Sequence, residues 1–170
     1  MDRKIFLIGM PGAGKTTLGR LLADALEWRV TDVDHELERI EGKSVTEIFK
    51  EEGETYFRSA ERNVLHSLAQ TPGDLIVATG GGAPCFHGNM KFMNTFGTTI
   101  FLDPPMDVLL KRIEQEDQRP LFHNTSIREK LEQMYADRIL YYHQAKLRIK
   151  IDNPNIREVI KELGLGEGNP

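Results

Sequence analysis

One cysteine, Cys85, stands in a chain of 170 residues. A lone thiol excludes an intramolecular disulfide, and no Cys/His spacing resembles a zinc site, so a reducing, cytoplasmic setting is expected. Basic charge is not in excess either: 22 Lys and Arg face 26 Asp and Glu, for a formal net charge of -4. The broad positive field that draws proteins to nucleic acid or acidic membranes is therefore missing, although a local basic pocket is not excluded. Long apolar runs are missing too, since no segment approaches the roughly 20 residues that span a bilayer. The opening MDRKIFLIGM has a positive start, but its apolar stretch is shorter than a signal-peptide core and runs into glycine and lysine, so it reads as a strand. There is no internal repeat and no low-complexity segment.

What is present suits one globular domain over residues 1–170, because 39% hydrophobic content is enough for a real core. Five short, partly β-branched apolar runs read as strands: KIFLIG from Lys4, WRVTD from Trp28, LIVATG from Leu75, TTIFLD from Thr98 and KLRIKID from Lys146. Helical periodicity fills the stretches between them. The clearest stripe is Leu18, Leu21, Leu22, Ala25 and Leu26. Strand and helix alternate throughout, which predicts an α/β fold with a parallel sheet covered by helices on both faces.

The first strand runs directly into GMPGAGKTT, where Gly9, Gly14, Lys15 and Thr16 satisfy G-x-x-x-x-G-K-S/T between a strand and a helix. Bare glycines let successive backbone N–H groups turn inward on an anion, and the positive end of the new helix adds to the attraction. Lys15 then reaches the outer phosphates, and the Thr16 hydroxyl is offered to magnesium. After the second strand, TDVDHE carries Asp32 and Asp34 two residues apart. Read as extended backbone turned to opposite sides, the pair divides its work: one carboxylate faces the metal, the other a different group. Taken without the phosphate loop, the same pair reads as a solvated acidic turn.

Three further features each leave two readings. Arg58 lies one helical turn before Glu61, which falls on the apolar stripe Phe57, Ala60, Val64, Leu65 and Leu68; either Glu61 holds the guanidinium for a ligand, or the two form a surface ion pair. Arg138 shares an apolar face with Ile127, Leu131, Met134 and Tyr142 and therefore needs an anionic partner, internal or bound. The run TGGGAP, Thr79 to Pro84, follows a buried strand at the edge where open parallel sheets bind ligands, and is a tight turn or an anion cradle. The polar segment 114–126 reads as a mobile loop, in which Arg119 is an ordinary surface arginine or one that closes over phosphates.

Taken together, GMPGAGKTT, DVD, GETYFRSAE, GGG and RPL, in this order over about 120 residues, resemble the shikimate kinase family. The resemblance implies MgATP-dependent phosphorylation of the 3-hydroxyl of shikimate, a step of aromatic amino-acid biosynthesis. It implies a P-loop NTPase-like three-layer α/β/α sandwich, with five parallel strands in the order 2-3-1-4-5, a helical substrate-binding segment over about 33–61 and a lid over about 114–126. By the same resemblance Gly12, Ala13, Gly14, Lys15, Thr16 and Thr17 hold ATP, and Thr16 and Asp32 serve Mg2+. Asp34 binds the reacting diol and accepts its proton, Arg58 and Arg138 grip the shikimate carboxylate, and Gly80, Gly81 and Gly82 lie beside the substrate. Arg119 is the lid arginine, while Arg112 and Pro154 match adenine-side positions. Small molecules alone are the expected partners, with no nucleic acid or membrane, and the chain is expected to act as a monomer. One departure stands out: the family continues after its second carboxylate arginine with R-x-P-L-Y, whereas this chain reads RILYY, with Leu140 in place of the proline. A gluconate-type kinase, a nucleoside monophosphate kinase and a non-catalytic nucleotide-binding module remain as alternatives; no N-K-x-D guanine-reading motif is present.

Overall fold

A computed structural model of the chain describes residues 2–116, 124–150 and 154–166. Its order is β1 (Lys4–Gly9), α1 (Lys15–Leu26), β2 (Arg29–Asp32), α2 (Val33–Glu41), α3 (Val45–Gln70), β3 (Leu75–Ala78), a 3-10 turn (Ala83–Cys85), α4 (Asn89–Phe96), β4 (Thr98–Leu102), α5 (Met106–Glu116), α6 (Asn124–Tyr142), β5 (Leu147–Ile149) and α7 (Ile156–Glu162). The strands form one five-stranded sheet in the order β2-β3-β1-β4-β5. Every pairing is parallel. All five expected strands and the expected order are present.

Burial explains why the middle strands lack alternation. Every residue of β1 and of β3 is buried, as expected where helices cover both faces of a sheet. The edge strand β2 is partly exposed along its length, and carries Arg29 and Asp32 instead. Residues from α1, α3, α4, α5, α6 and α7 complete the core on the two faces, among them Leu22, Leu65, Met93, Leu109, Tyr142 and Ile160.

Packing corrects one stripe. The buried line of α1 is Leu18, Gly19, Leu22, Ala23 and Leu26, while Leu21, 48% exposed, and Ala25 lie outside it. Gly19 is the reason: a Cβ there would stand 3.2 Å from both Leu7 Cδ1 and Val30 Cγ2, so the helix presses its glycine against the sheet and rotates Leu21 away.

Two local breaks set up the site. The chain leaves β2 at Asp32, whose side chain accepts hydrogen bonds from the Asp34 and His35 amides and so starts α2. Helix α3 opens with a capping box between Ser44 and Glu47, then breaks at Gly53, whose φ of 83° and ψ of 172° are not helical. The break brings the Phe49 ring to 4.3 Å from that of Phe57. Among the described residues no helix is long and apolar enough to cross a membrane.

Candidate active site

In the order β2-β3-β1-β4-β5 the chain leaves β1 toward one edge of the sheet and leaves β3 toward the other, so a crevice opens at the carboxyl ends of these neighbours. The phosphate loop follows β1, Asp32 ends β2, and the glycine run follows β3. Sequence-distant motifs thus share one rim.

The loop between β1 and α1 turns through Gly12 and Gly14, at φ of 76° and 93°. No side chain caps α1. Among the described residues the amides of Gly12, Gly14, Lys15, Thr16 and Thr17 have no hydrogen-bond acceptor, an arrangement suited to an anion at a helix N-terminus. Beside them is a cavity of about 450 Å3, lined also by Leu21, Leu102, Arg112 and Pro154. Arg112 donates to the Gly12 carbonyl at 2.9 Å. Lys15 folds back over the loop and donates to the carbonyls of Gly9 at 2.9 Å and Met10 at 2.8 Å. Burial lowers its pKa to about 8, although the Asp32 and Asp34 carboxylates oppose the shift.

Thr16 and Asp32 meet across the crevice, the hydroxyl donating to Asp32 Oδ2 at 3.3 Å, while Asp32 Oδ1 accepts from the Asp34 amide at 2.9 Å. Extended backbone does not part Asp32 from Asp34, contrary to expectation. Alternate residues of a strand share a face, and the two are separated because the strand stops at Asp32 and α2 begins at Val33. Asp34 Oδ1 is buried and has no hydrogen-bond partner among the described residues. Burial, reinforced by Asp32, raises the Asp34 pKa against the pull of Lys15.

Each glycine of the run after β3 lies against a different charged group. A Cβ on Gly80 would be 2.9 Å from Glu61 Oε1 and 3.2 Å from Asp34 Oδ1; on Gly81, 2.9 Å from Arg138 Nη1; on Gly82, 2.6 Å from Arg58 Nη2. Side chains at these positions would fill the space the four groups use. The amides of Gly80, Gly81 and Gly82 also have no acceptor among the described residues.

The Arg58–Glu61 pair is not a surface pair. The two meet at 2.8 Å with Glu61 1% exposed, and burial raises the Glu61 pKa against the opposing effect of Arg58. The other Glu61 oxygen, Oε1, is buried without a partner. Arg58 is further enclosed by aromatic rings, with Cζ 4.3 Å from the Phe86 ring centre, 5.0 Å from that of Phe57 and 5.9 Å from that of Phe49. Phe49 and Phe86 are absent from the residues the sequence nominates, because positions so far apart in the chain meet only in the fold. Arg138 is partly buried on α6 and forms no ion pair with a described carboxylate. Helix α6 runs unbroken through Leu140, which is 76% exposed, and continues to Tyr142 with leucine in place of the family proline. Arg119 and positions 117–123 of the expected lid lie outside the described residues.

A phosphate loop opening the first helix of a parallel sheet, facing a compact pocket of two guanidinium groups and two carboxylates, defines a P-loop enzyme of the small-molecule kinase class. Comparison with known proteins narrows this. The shikimate kinase family profile matches residues 11–164. A shikimate kinase from Persephonella marina is 36% identical over 161 residues, covering 95% of this chain and 96% of the relative. The 1.7 Å crystal structure of shikimate kinase from Bacteroides thetaiotaomicron superposes with a TM-score of 0.89 at 36% identity, covering 96% of this chain and 99% of that one. Shikimate kinase from Acinetobacter baumannii, in complex with shikimate, gives 0.82 at 34% identity over 95% of this chain and 90% of that one. This chain belongs to the shikimate kinase family.

Proposed function

We infer that the protein transfers the terminal phosphoryl group of ATP to the 3-hydroxyl of shikimate, acting as one domain over residues 1–170. The observation that carries this reading is the juxtaposition of the bare amides of the phosphate loop with a pocket holding Asp34, Arg58 and Arg138 around Gly80 to Gly82. A small anionic polyol needs guanidinium for its carboxylate and carboxylate or backbone groups for its hydroxyls.

In this reading Gly12, Ala13, Gly14, Lys15, Thr16 and Thr17 bind the phosphates of ATP, with Arg112 and Pro154, which line the same cavity, toward its adenine. Arg58 and Arg138 bind the acceptor carboxylate. The acceptor oxygen attacks the terminal phosphorus, the bond to the bridging oxygen of ADP breaks, and the hydroxyl proton passes to Asp34. The unpartnered Asp34 oxygen and the raised pKa suit a group that must take up that proton. Arg119 is assigned, on the sequence alone, to the charge of the group in transfer.

Magnesium fits the Thr16–Asp32 pair, since hydroxyl and carboxylate oxygens 3.3 Å apart suit a hard cation. Among the described residues no group of three or more His, Cys, Asp or Glu is placed to hold a metal, so such an ion would keep water and phosphate among its ligands. When bound, it would neutralise phosphate charge.

The test is ADP release with shikimate and gluconate offered in parallel, and nucleoside monophosphates added to the same assay. Turnover with shikimate alone is expected. Activity confined to gluconate or a nucleotide would overturn the assignment, and ATP binding without acceptor-stimulated turnover would identify a binding module.

A further inference from the structure

Among the described residues the middle carbonyl of the glycine run has a single partner. Gly80 O accepts from the Ala83 amide and Gly82 O from the Cys85 amide, both within the turn that follows. Gly81 O instead accepts from the hydroxyl of Tyr142 at 2.5 Å, from a residue 61 positions away on α6. Tyr142 is 0% exposed, its ring packs 4.9 Å from that of Phe101, and its oxygen lies 4.0 Å from Met10 Sδ at the start of the phosphate loop. Burial pushes the phenol up to about 12, against the opposing pull of Arg138, so the hydroxyl keeps its proton and remains a donor.

Arg138 lies one helical turn before Tyr142, and its Nη1 would be 2.9 Å from a Cβ on Gly81. The same short segment of α6 therefore presents the guanidinium to one side of Gly81 and pins its carbonyl from another. In a trans peptide the carbonyl and the following N–H point in opposite directions. Fixing Gly81 O toward Tyr142 therefore fixes the Gly82 amide away from it, and that amide has no acceptor among the described residues.

We propose that Tyr142 is a positioning residue for the acceptor carboxylate, its hydroxyl holding the Gly81–Gly82 peptide in register with the Arg138 guanidinium. The proposal rests on shikimate as the acceptor and on Arg138 as a ligand of its carboxylate. Without the hydroxyl, the peptide loses the one bond that sets its orientation, and the clamp closes less often on its anion. The phosphate loop keeps its backbone hydrogen bonds and loses only the 4.0 Å contact of the hydroxyl with Met10 Sδ.

Tyr142→Phe removes a single oxygen and tests this in steady-state kinetics. One hydrogen bond of this kind corresponds to about a tenfold change. The KM for shikimate is expected to rise by about that factor, with kcat and the KM for ATP moving less than about twofold. Tyr135→Phe, on the same helix as Tyr142, removes a hydroxyl bonded to Asp103 after β4; it serves as the control and is expected to leave all constants unchanged. In an Arg138→Ala background, the effect of Tyr142→Phe on shikimate KM is expected to shrink, because both changes act on one clamp. An unchanged shikimate KM in Tyr142→Phe overturns the proposal. So does an equal rise in the KM for ATP, or full additivity in the double variant, since either marks a general packing role. Unchanged shikimate affinity in Arg138→Ala alone would instead remove the carboxylate clamp on which the proposal stands.

Discussion

Arg58 and Glu61 meet at 2.8 Å, one turn apart on α3, with Glu61 sealed from solvent and only one of its two oxygens bonded. The pair is asymmetric in purpose as well as in geometry. Glu61 holds one end of the guanidinium, Glu54 meets its Nε at 3.4 Å, three phenylalanine rings lie against it, and Gly82, with no Cβ, leaves room beside Nη1 and Nη2. A buried pair of this kind is weak evidence for stability, because both ions lose hydration. Its value lies in presenting a cation that is already oriented.

Gly82→Ala separates presentation from folding. Gly82 has φ of -86° and ψ of -19°, which alanine adopts freely, and the three atoms nearest a Cβ there belong to the Arg58 guanidinium. The side-chain end moves and the backbone stays. Shikimate KM is expected to rise by about tenfold, with the melting temperature shifting by no more than a few degrees. A large loss of stability with unchanged KM would show that Gly82 serves the turn rather than the arginine.

Asp34→Asn is expected to lower kcat by about a hundred- to ten-thousand-fold while sparing ATP affinity, as steady-state kinetics and a nucleotide titration would show. The variant also carries a stability signature. Because the folded-state pKa of Asp34 is raised above the usual 3.8, its contribution to stability is fully present below that value and is lost as pH rises through the folded value. Asparagine does not titrate. The variant should therefore match the parent near pH 3 to 4 and exceed it in melting temperature at pH 8; a gap that narrows with rising pH would contradict a desolvated Asp34.

On the proposed role of Lys15, the nucleotide step is expected to depend on pH. With its pKa lowered to about 8, the ammonium is charged at pH 7 and largely neutral at pH 9, and a bound polyphosphate would draw the proton back. ATP binding at pH 9 is expected to take up close to one proton, against almost none from this group at pH 7. Calorimetry in buffers of different ionisation enthalpy measures the uptake. Lys15→Arg should abolish it, since guanidinium stays charged across this range; equal uptake at both pH values would rule out Lys15 as its source.

Asp32 serves two structures with two oxygens, so its variants divide. Asn keeps an oxygen for the α2 cap but loses the charge beside Thr16, and the magnesium concentration for half-maximal activity should rise by about tenfold at nearly constant melting temperature. Ala loses the cap as well, at a cost of about 1 kcal/mol. Magnesium dependence unchanged in Asp32→Asn would remove Asp32 from the metal site.

The parts of this molecule legible in the sequence are those whose cause is local. Unbroken apolar runs marked β1 and β3 because both their faces are covered, and G-x-x-x-x-G-K-T marked the phosphate loop because backbone exposure needs glycine at fixed spacing. Glu61 on an apolar stripe, one turn from Arg58, leaves two readings open in the sequence, and the burial of the pair excludes the surface one. What escaped depends on which distant elements meet. Leu21 fits a helical stripe as well as Leu22 does, and only the pressure of Gly19 on the sheet decides between them. Phe86 reaches Arg58 across a turn that no periodicity describes. Asp32 and Asp34 would share a face of a strand, and what parts them is a strand end that is itself a helix cap, which residue spacing alone does not reveal.

The middle glycine after β3 has a further neighbour: a Cβ on Gly81 would be 3.0 Å from Pro11 Cδ and 3.3 Å from Gly9 O. The phosphate loop and the glycine run are therefore separated at this point only by backbone and the Pro11 ring. For ligand design, if nucleotide and acceptor bind as proposed, a bisubstrate inhibitor joining a polyphosphate to a carbocyclic acid would need a tether of only a few atoms.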